Sequence, residues 1–319
     1  MTMLTRRALA VAITTAAMAL SALAAEPWPQ RTVRLITPFA PGTVSDLATR
    51  LLAERLSHRW GQPVVVENRP GAEGIVAVSS FLAATDRHAL LFSFAGPISI
   101  NPLLYDKLPY DPEQDLVPIA SAIDNFFAIA VAKSLGVDTL GAFIELARRQ
   151  PGKFNWAATS GLPQYIFVAL QKRAGLQLME VPYKAVAPML QDLSQGRVDV
   201  AVTTPATLLP LVESGKAQLL MVTNRERSPL APQVPTAAEA GFPDLMFEGV
   251  VGFYGWRGMP VDLRQRIATD VNAAAADPGL AERLRAGGAV VRTGTTADFV
   301  AAIEDQRAKI RALAQPRTR

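Results

Sequence analysis

The sequence predicts an α/β fold of mostly parallel sheets with helices packed on both sides. Three observations predict it. Short apolar, β-prone runs alternate with helix-like segments along nearly the whole chain. The first of these runs, residues 33–36, passes through Pro41-Gly42, turn chemistry that opens a helix. The chain has 319 residues, half of them hydrophobic, and no cysteine. Its core alone must therefore hold it together, and the length suffices for one large domain or two medium ones.

The elements follow in order. Ser45 and Asp46 read as N-cap and first-turn residues of a helix whose Leu47, Leu51, Leu52 and Leu56 recur at helical spacing. Arg50, Glu54 and Ser57 fall on its opposite side. A strand–turn–helix of this kind aims backbone N–H groups and the positive end of the helix dipole at one spot, which suits a carboxylate or a phosphate. Many such turns bind nothing. Residues 64–67 read as a strand, 74–84 as a helix of small and apolar residues, and 89–94, 116–122 and 126–132 as strands. Thr139 caps a helix through Arg149, ended by Pro151-Gly152. Helix 164–174, strand 178–181, helix 188–194, strand 198–203, helix 206–213 with Gly215 as its stop, and strand 217–223 continue the alternation. After a turn-rich stretch over 226–243 come strand 247–254, helix 261–276 and a last helix capped by Thr295 or Thr296. On that helix Phe299, Ile303, Ile310 and Leu313 share one face.

Residues 1–24 read as a cleaved export signal. Arg6 and Arg7 precede an apolar stretch over 8–20, too short to span a bilayer comfortably, and Ala22-Leu23-Ala24 fits the small-x-small pattern before a cleavage site. Cleavage one residue later is the near alternative; an N-terminal membrane anchor is the structural one. Thr5-Arg6-Arg7-Ala8-Leu9 leaves twin-arginine export open beside the general route.

Charge and motifs exclude several classes. The formal charge of +4 falls to +2 once Arg6 and Arg7 are removed, and no basic cluster is interleaved with aromatics, so no nucleic-acid partner is expected. Arg307, Lys309, Arg311, Arg317 and Arg319 read as a solvated face. His58 and His88 lie in unrelated settings and read as solvated. There is no HExxH, no GxSxG elbow, no Walker A loop and no GxGxxG. Zinc and thiol chemistry are nearly excluded, and neither metal nor cofactor is expected. A chain of this size without an activated-nucleophile signature reads as a binder rather than an enzyme.

A series of segments carries a more specific signal. It begins with residues 33–46 and continues with Gly61-Gln62-Pro63-Val64-Val65-Val66-Glu67-Asn68-Arg69-Pro70-Gly71-Ala72. Asn101-Pro102-Leu103-Leu104-Tyr105, Leu108-Pro109-Tyr110-Asp111-Pro112, Val181-Pro182-Tyr183-Lys184 and Gly196-Arg197-Val198-Asp199 follow. Gly215-Lys216-Ala217, Arg227-Ser228-Pro229 and Val234-Pro235-Thr236-Ala237-Ala238-Glu239-Ala240-Gly241 complete it. The ordered set resembles the solute-receptor family of tripartite tricarboxylate transporters, the Bug family of bacterial periplasmic binding proteins. The resemblance implies a two-lobed Venus-flytrap fold of the type II periplasmic-binding class with a discontinuous first lobe. Strands 126–132 and 247–253 are taken as the crossings, so that 25–126 and 247–319 form lobe 1 and 127–246 form lobe 2.

The resemblance also implies where the ligand lies: between the lobes, beyond the C-terminal ends of the strands. On lobe 1, Pro41, Gly42 and Thr43 match the family's Pro-Gly-Gly loop, whose amides hold a carboxylate, and Phe39 is expected at the ligand beside it. Thr43 replaces the second glycine and adds a Cβ and a hydroxyl. Ser93, Gly96 and Ser99 belong to the second lobe 1 loop, which leads on to Asn101. On lobe 2, Thr159, Ser160 and Gly161 occupy the usual Ser- and Gly-rich loop. Leu162-Pro163-Gln164-Tyr165 departs from the family there and implies a bulkier or more apolar wall. Asp46 matches the family's aspartate and reads first as a helix-capping carboxylate. Lys184 supplies positive charge or is a surface lysine; Thr203 and Thr204 donate hydroxyls or cap a helix.

The implied protein is a monomeric periplasmic receptor that closes on a small organic acid and presents it to membrane permease subunits. A ligand-sensing subunit for a membrane kinase is the alternative among binding proteins. An exported enzyme using Asp or Lys in the cleft is the alternative from another class.

Overall fold

The computed structural model describes residues 28–158, 161–183, 185–247, 249–286 and 288–314. The export signal expected over 1–24, and Thr159, Ser160 and Lys184, lie outside them. In chain order the elements are β1 (Val33–Thr37), α1 (Val44–Trp60), β2 (Val64–Asn68), α2 (Ile75–Leu82), β3 (Ala89–Phe94), α3 (Gly96–Ser99), α4 (Asn101–Leu104), β4 (Val117–Asn125) and β5 (Ala128–Ala132). They continue with α5 (Leu140–Arg149), β6 (Asn155–Ala158), α6 (Leu162–Ala174), β7 (Met179–Glu180), α7 (Val186–Ser194), β8 (Val200–Thr203), α8 (Pro205–Glu213) and β9 (Ala217–Val222). The last are β10 (Gly249–Gly255), α9 (Val261–Ala275), α10 (Pro278–Ala286), β11 (Val290–Val291) and α11 (Thr296–Ala314).

Two sheets form, ordered β11-β4-β10-β3-β1-β2 and β7-β6-β8-β5-β9. They are mixed rather than mostly parallel. In the first, β1 pairs in parallel with β2 and β3, while β10 runs antiparallel to both β3 and β4, and β11 antiparallel to β4. In the second, β6 is parallel to β7 and β8, and β5 is antiparallel to β8 and β9. The physical reason is the chain path. Strands fed by a crossover helix on their own sheet run the same way. β5 enters the second sheet directly from β4, and β10 enters the first after β9 of the second. Each starts at the edge where its neighbours end, so each runs against them.

Both faces of both sheets are buried, which is why the strands read as continuous apolar runs. With a side-chain period of two, Leu35, Leu90 and Phe92 pack on one face of the first sheet with α1 and α9. Ile36, Ala89 and Leu91 pack on the other with Phe81 and Phe299. In the second sheet Ile129 and Val131 face Phe143, Trp156 and Phe167, whereas Ala128, Ala130 and Ala132 face Met189 and Leu208.

The last helix divides its apolar face. Phe299 and Ile303 are buried against the first sheet, but Ile310 is buried in the core of the second, and Lys309 Nζ donates to Met246 O at 3.0 Å. α11 therefore spans both bodies; the Leu313 side chain lies outside the described residues. The structure also holds α3, α4 and α10, for which the sequence pattern predicts no helix. α3 and α4 are four residues each and too short to show a period.

Candidate functional site

A cavity of about 830 Å³ opens between the two sheets. Residues following β1 (Pro38, Phe39), β3 (Ala95, Gly96) and β8 (Thr204) line it. So do Asn125 at the end of β4 and Gly249 and Val250 at the start of β10. This is the edge where open α/β sheets place ligands. Most of the wall is apolar: Phe39, Phe94, Ile100, Phe126, Phe127, Leu162, Pro163 and Val186. Among the described lining residues there is no Lys or Arg, and Glu73 is the one charged side chain.

On the first-sheet side the N-terminus of α1 reaches the cavity. Its N-cap is Thr43, not Ser45: Thr43 has extended backbone (φ −76°, ψ 160°), and its Oγ1 accepts from the Asp46 N–H at 3.2 Å. Asp46, only 3% exposed, is tied on all sides. Its carboxylate accepts from the Gly42 N–H at 2.9 Å, Asn68 Nδ2 at 2.7 Å and Arg50 Nε at 3.1 Å. Burial pushes its pKa up, but these hydrogen bonds and the Arg50 charge outweigh burial and hold it below the ordinary carboxylate value. Asp46 thus locks the turn ahead of the helix.

This changes which amides are free. The Gly42 N–H goes to Asp46, and the Thr43 N–H to Ala40 O at 3.3 Å. Neither is open to a ligand, contrary to the expectation for the 41–43 loop. The open donors are the N–H groups of Val44 and Ser45, the first two helical residues, which have no intrahelical acceptor. Both residues line the cavity. Ser45 Oγ accepts from Asn125 Nδ2 at 2.8 Å, leaving its own proton to donate.

The remaining expected residues divide. Phe39, Gly42, Thr43, Gly96, Gly161 and Thr203 line the cavity; Pro41, Ser93 and Ser99 do not. Pro41 is exposed. Ser93 is buried within β3. Ser99 is buried in α3, where its Oγ donates to Ala95 O and accepts from Gln306 Nε2, both at 2.9 Å. Gly96 is required by crowding, because a Cβ there would lie 2.6 Å from the Phe94 ring. On the second-sheet side Gly161 is the N-cap of α6 with φ +83° and ψ −138°, and it provides no side-chain cap. Thr204 is the N-cap of α8, and its hydroxyl pairs with that of Thr207 at 2.8 Å.

Glu73 escaped the sequence reading. It sits in a 3₁₀ turn, Ala72–Gly74, where Ala72 and Glu73 both take left-handed backbone (φ +44° and +49°). Such positions favour glycine, and a non-glycine residue held there is a mark of functional sites. The available signal was a charged residue set between two glycines, Gly71 and Gly74, just after a turn.

The sequence pattern described as "Tripartite tricarboxylate transporter family receptor" matches residues 48–318. The chain belongs to this family. The receptor is 32% identical over 228 residues to protein BugT of Bordetella pertussis, a match covering 70% of each chain. Its structure is similar to that of Rpa4515 of R. palustris with adipate, at 30% identity and a TM-score of 0.78 over 90% of this chain and 97% of that one. It is likewise similar to the periplasmic binding protein BugD, at 27% identity and a TM-score of 0.74 over 90% and 97%. The receptor thus has the two-lobed α/β fold of periplasmic solute-binding proteins. Among the described residues no helix is long and apolar enough to cross a membrane.

Proposed function

We propose that the receptor is exported to the periplasm after cleavage of residues 1–24, binds a small organic carboxylate in the interlobe cleft, and delivers it as a monomer to the membrane subunits of a tripartite transporter. One observation carries the ligand class. The Val44 and Ser45 amides and the Ser45 hydroxyl converge at the N-terminus of α1 on the cavity, a donor set built for one carboxylate. The adipate held by the R. palustris relative supports the same class. In this reading the chain passes between lobes at Phe126-Phe127 and again at residues 246–247, so that 25–126 and 247–319 form lobe 1 and 127–246 lobe 2. Closure brings Leu162 and Thr203 of lobe 2 onto a ligand seated on lobe 1, so that contacts to both lobes favour the closed form.

Native mass spectrometry of receptor recovered from periplasm tests this, with a thermal-shift screen of organic acids beside it. The expected result is a chain beginning at Ala25 or Glu26 that carries a carboxylic acid. An acid at 100 times its Kd should add about 2.7 kcal/mol of stability. Intact Met1 in a membrane fraction overturns the localisation; failure of every acid to bind overturns the ligand class.

A further inference from the structure

The donor set at α1 accounts for one carboxylate. A second anion, such as the distal end of a dicarboxylate, would need another cradle across the cleft, and the natural place is the N-terminus of α6 in lobe 2. That place is already met by a carboxylate of the protein. The Glu73 Oε2 lies 2.8 Å from where a Cβ on Gly161 would be, at the N-cap of α6. Glu73 has no ion-pair or hydrogen-bond partner for its side chain among the described residues.

On the first-sheet side the wall beside Glu73 offers acceptors rather than donors; across the cleft the Tyr165 hydroxyl lies close enough that the Glu73 charge adds to burial in pushing its pKa up. Asn101 is 1% exposed, and its Nδ2 donates to Glu73 O at 3.0 Å and Tyr110 Oη at 3.1 Å. The donation to a backbone carbonyl fixes the amide's orientation and leaves Oδ1 without a donor. Gln306 is 4% exposed; its Nε2 donates to Ser99 Oγ, and its Oε1 is likewise without a donor. Asn101, Gln306 and Glu73 all line the cavity. One full negative charge, two acceptor oxygens and no lining cation among the described residues oppose any ligand carboxylate on this side. In a site that excludes water, such like-charge juxtaposition is poorly screened.

We infer that Glu73 sets the charge of the ligand: the receptor takes acids with one carboxylate, whose apolar body lies along Phe39, Phe94, Phe127 and Leu162, and rejects dicarboxylates. This rests on the carboxylate reading of the cleft. Glu73 is a specificity-determining residue that acts by repulsion, not by attraction. Its left-handed backbone aims the side chain across the cleft at a conformational cost that a glycine would not incur.

Isothermal titration with matched pairs tests this: hexanoate against adipate, and benzoate against terephthalate. The wild-type receptor is expected to bind the monocarboxylate of a pair at least tenfold more tightly. Glu73→Gln should raise affinity for the dicarboxylate about tenfold while moving the monocarboxylate less than threefold. Glu73→Asp, which keeps the charge, should keep the discrimination. Glu73→Gly suits the left-handed backbone and provides a second neutral variant if the glutamine form folds poorly. Wild-type receptor that binds the dicarboxylate as tightly as its partner overturns the inference and leaves the carboxylate reading standing. So does a Glu73→Gln variant that raises both affinities equally. Binding of no acid by any form overturns the carboxylate reading and this inference with it.

Discussion

At the N-terminus of α1, Thr43 caps the helix, Asp46 fastens the preceding turn, and the Val44 and Ser45 amides are left facing the cleft. At the N-terminus of α6, Gly161 carries no side chain to cap the helix, and a carboxylate from the opposite lobe lies against it. Both ends carry the positive pole of a helix dipole, but Pro163, the second residue of α6, has no N–H, so α6 offers one open amide fewer than α1. The larger difference lies in what surrounds them. Short-range caps hold the first rigid and open, whereas the second meets a negative side chain across the cleft. The lesson is that a helix N-terminus in a cleft is an anion site only where the protein has not supplied the anion itself.

The largest expected effect comes from unfastening the first end. Asp46→Ala leaves the Gly42 N–H, Asn68 and Arg50 without their shared acceptor and should destabilise the receptor by about 2–3 kcal/mol in urea unfolding. A loss under half a kcal/mol would mean that the turn is held by something other than Asp46.

A smaller effect is expected at the second end. Gly161→Ala places a Cβ on a residue with φ +83° and against Glu73, and should cost about 1–2 kcal/mol. In a Glu73→Ala background the contact part of that loss should vanish and the backbone part remain. Equal losses in both backgrounds would separate Glu73 from the α6 N-terminus.

Val44→Pro then removes a single amide without disturbing the fold. Val44 is the first helical residue, where proline is favoured, and the extended backbone of Thr43 suits a residue before proline. Carboxylate affinity should fall about tenfold, near 1.4 kcal/mol, with melting unchanged. Unchanged affinity in a folded variant would remove this amide from the cradle.

The smallest expected effect is a pH dependence. The folded-state pKa of Asp46 is depressed, so its charge contributes stability above the unfolded value near 4, and that contribution is lost as pH falls through the folded pKa. Asp46→Asn lacks this titration. The stability difference between wild type and Asp46→Asn should therefore shrink as pH falls from 6 to 3. A difference that does not change with pH would contradict the carboxylate's depressed pKa.

Much of the fold was legible because its signals are local. Strand 89–94 and the helix from Thr139 match β3 and α5, since continuous apolar runs and a Thr cap need only neighbouring residues to act. Sheet direction was not legible, because β5 and β10 run against their neighbours only through the path of the chain between two bodies. The bridging of α11 was hidden for the same reason: Ile303 and Ile310 share a helical face but meet different cores. At the site, the 39–43 region was expected at the cleft, yet the open amides lie two residues onward, at Val44 and Ser45 rather than Gly42 and Thr43. Nothing in the local sequence shows that Asp46 turns back to take the Gly42 amide. For Glu73 the local signal, a charge between Gly71 and Gly74, says little by itself, since the residue's importance lies in facing Gly161 across the cleft, 88 positions along the chain.

Amide NMR of the labelled receptor, titrated with a carboxylate that it binds, reports directly on the α1 cradle. The Val44 and Ser45 amide protons are expected to move downfield as the ligand accepts from them, while the Gly42 amide, held by Asp46, stays in place. A shift at Gly42 with Val44 and Ser45 unmoved would overturn the α1 cradle.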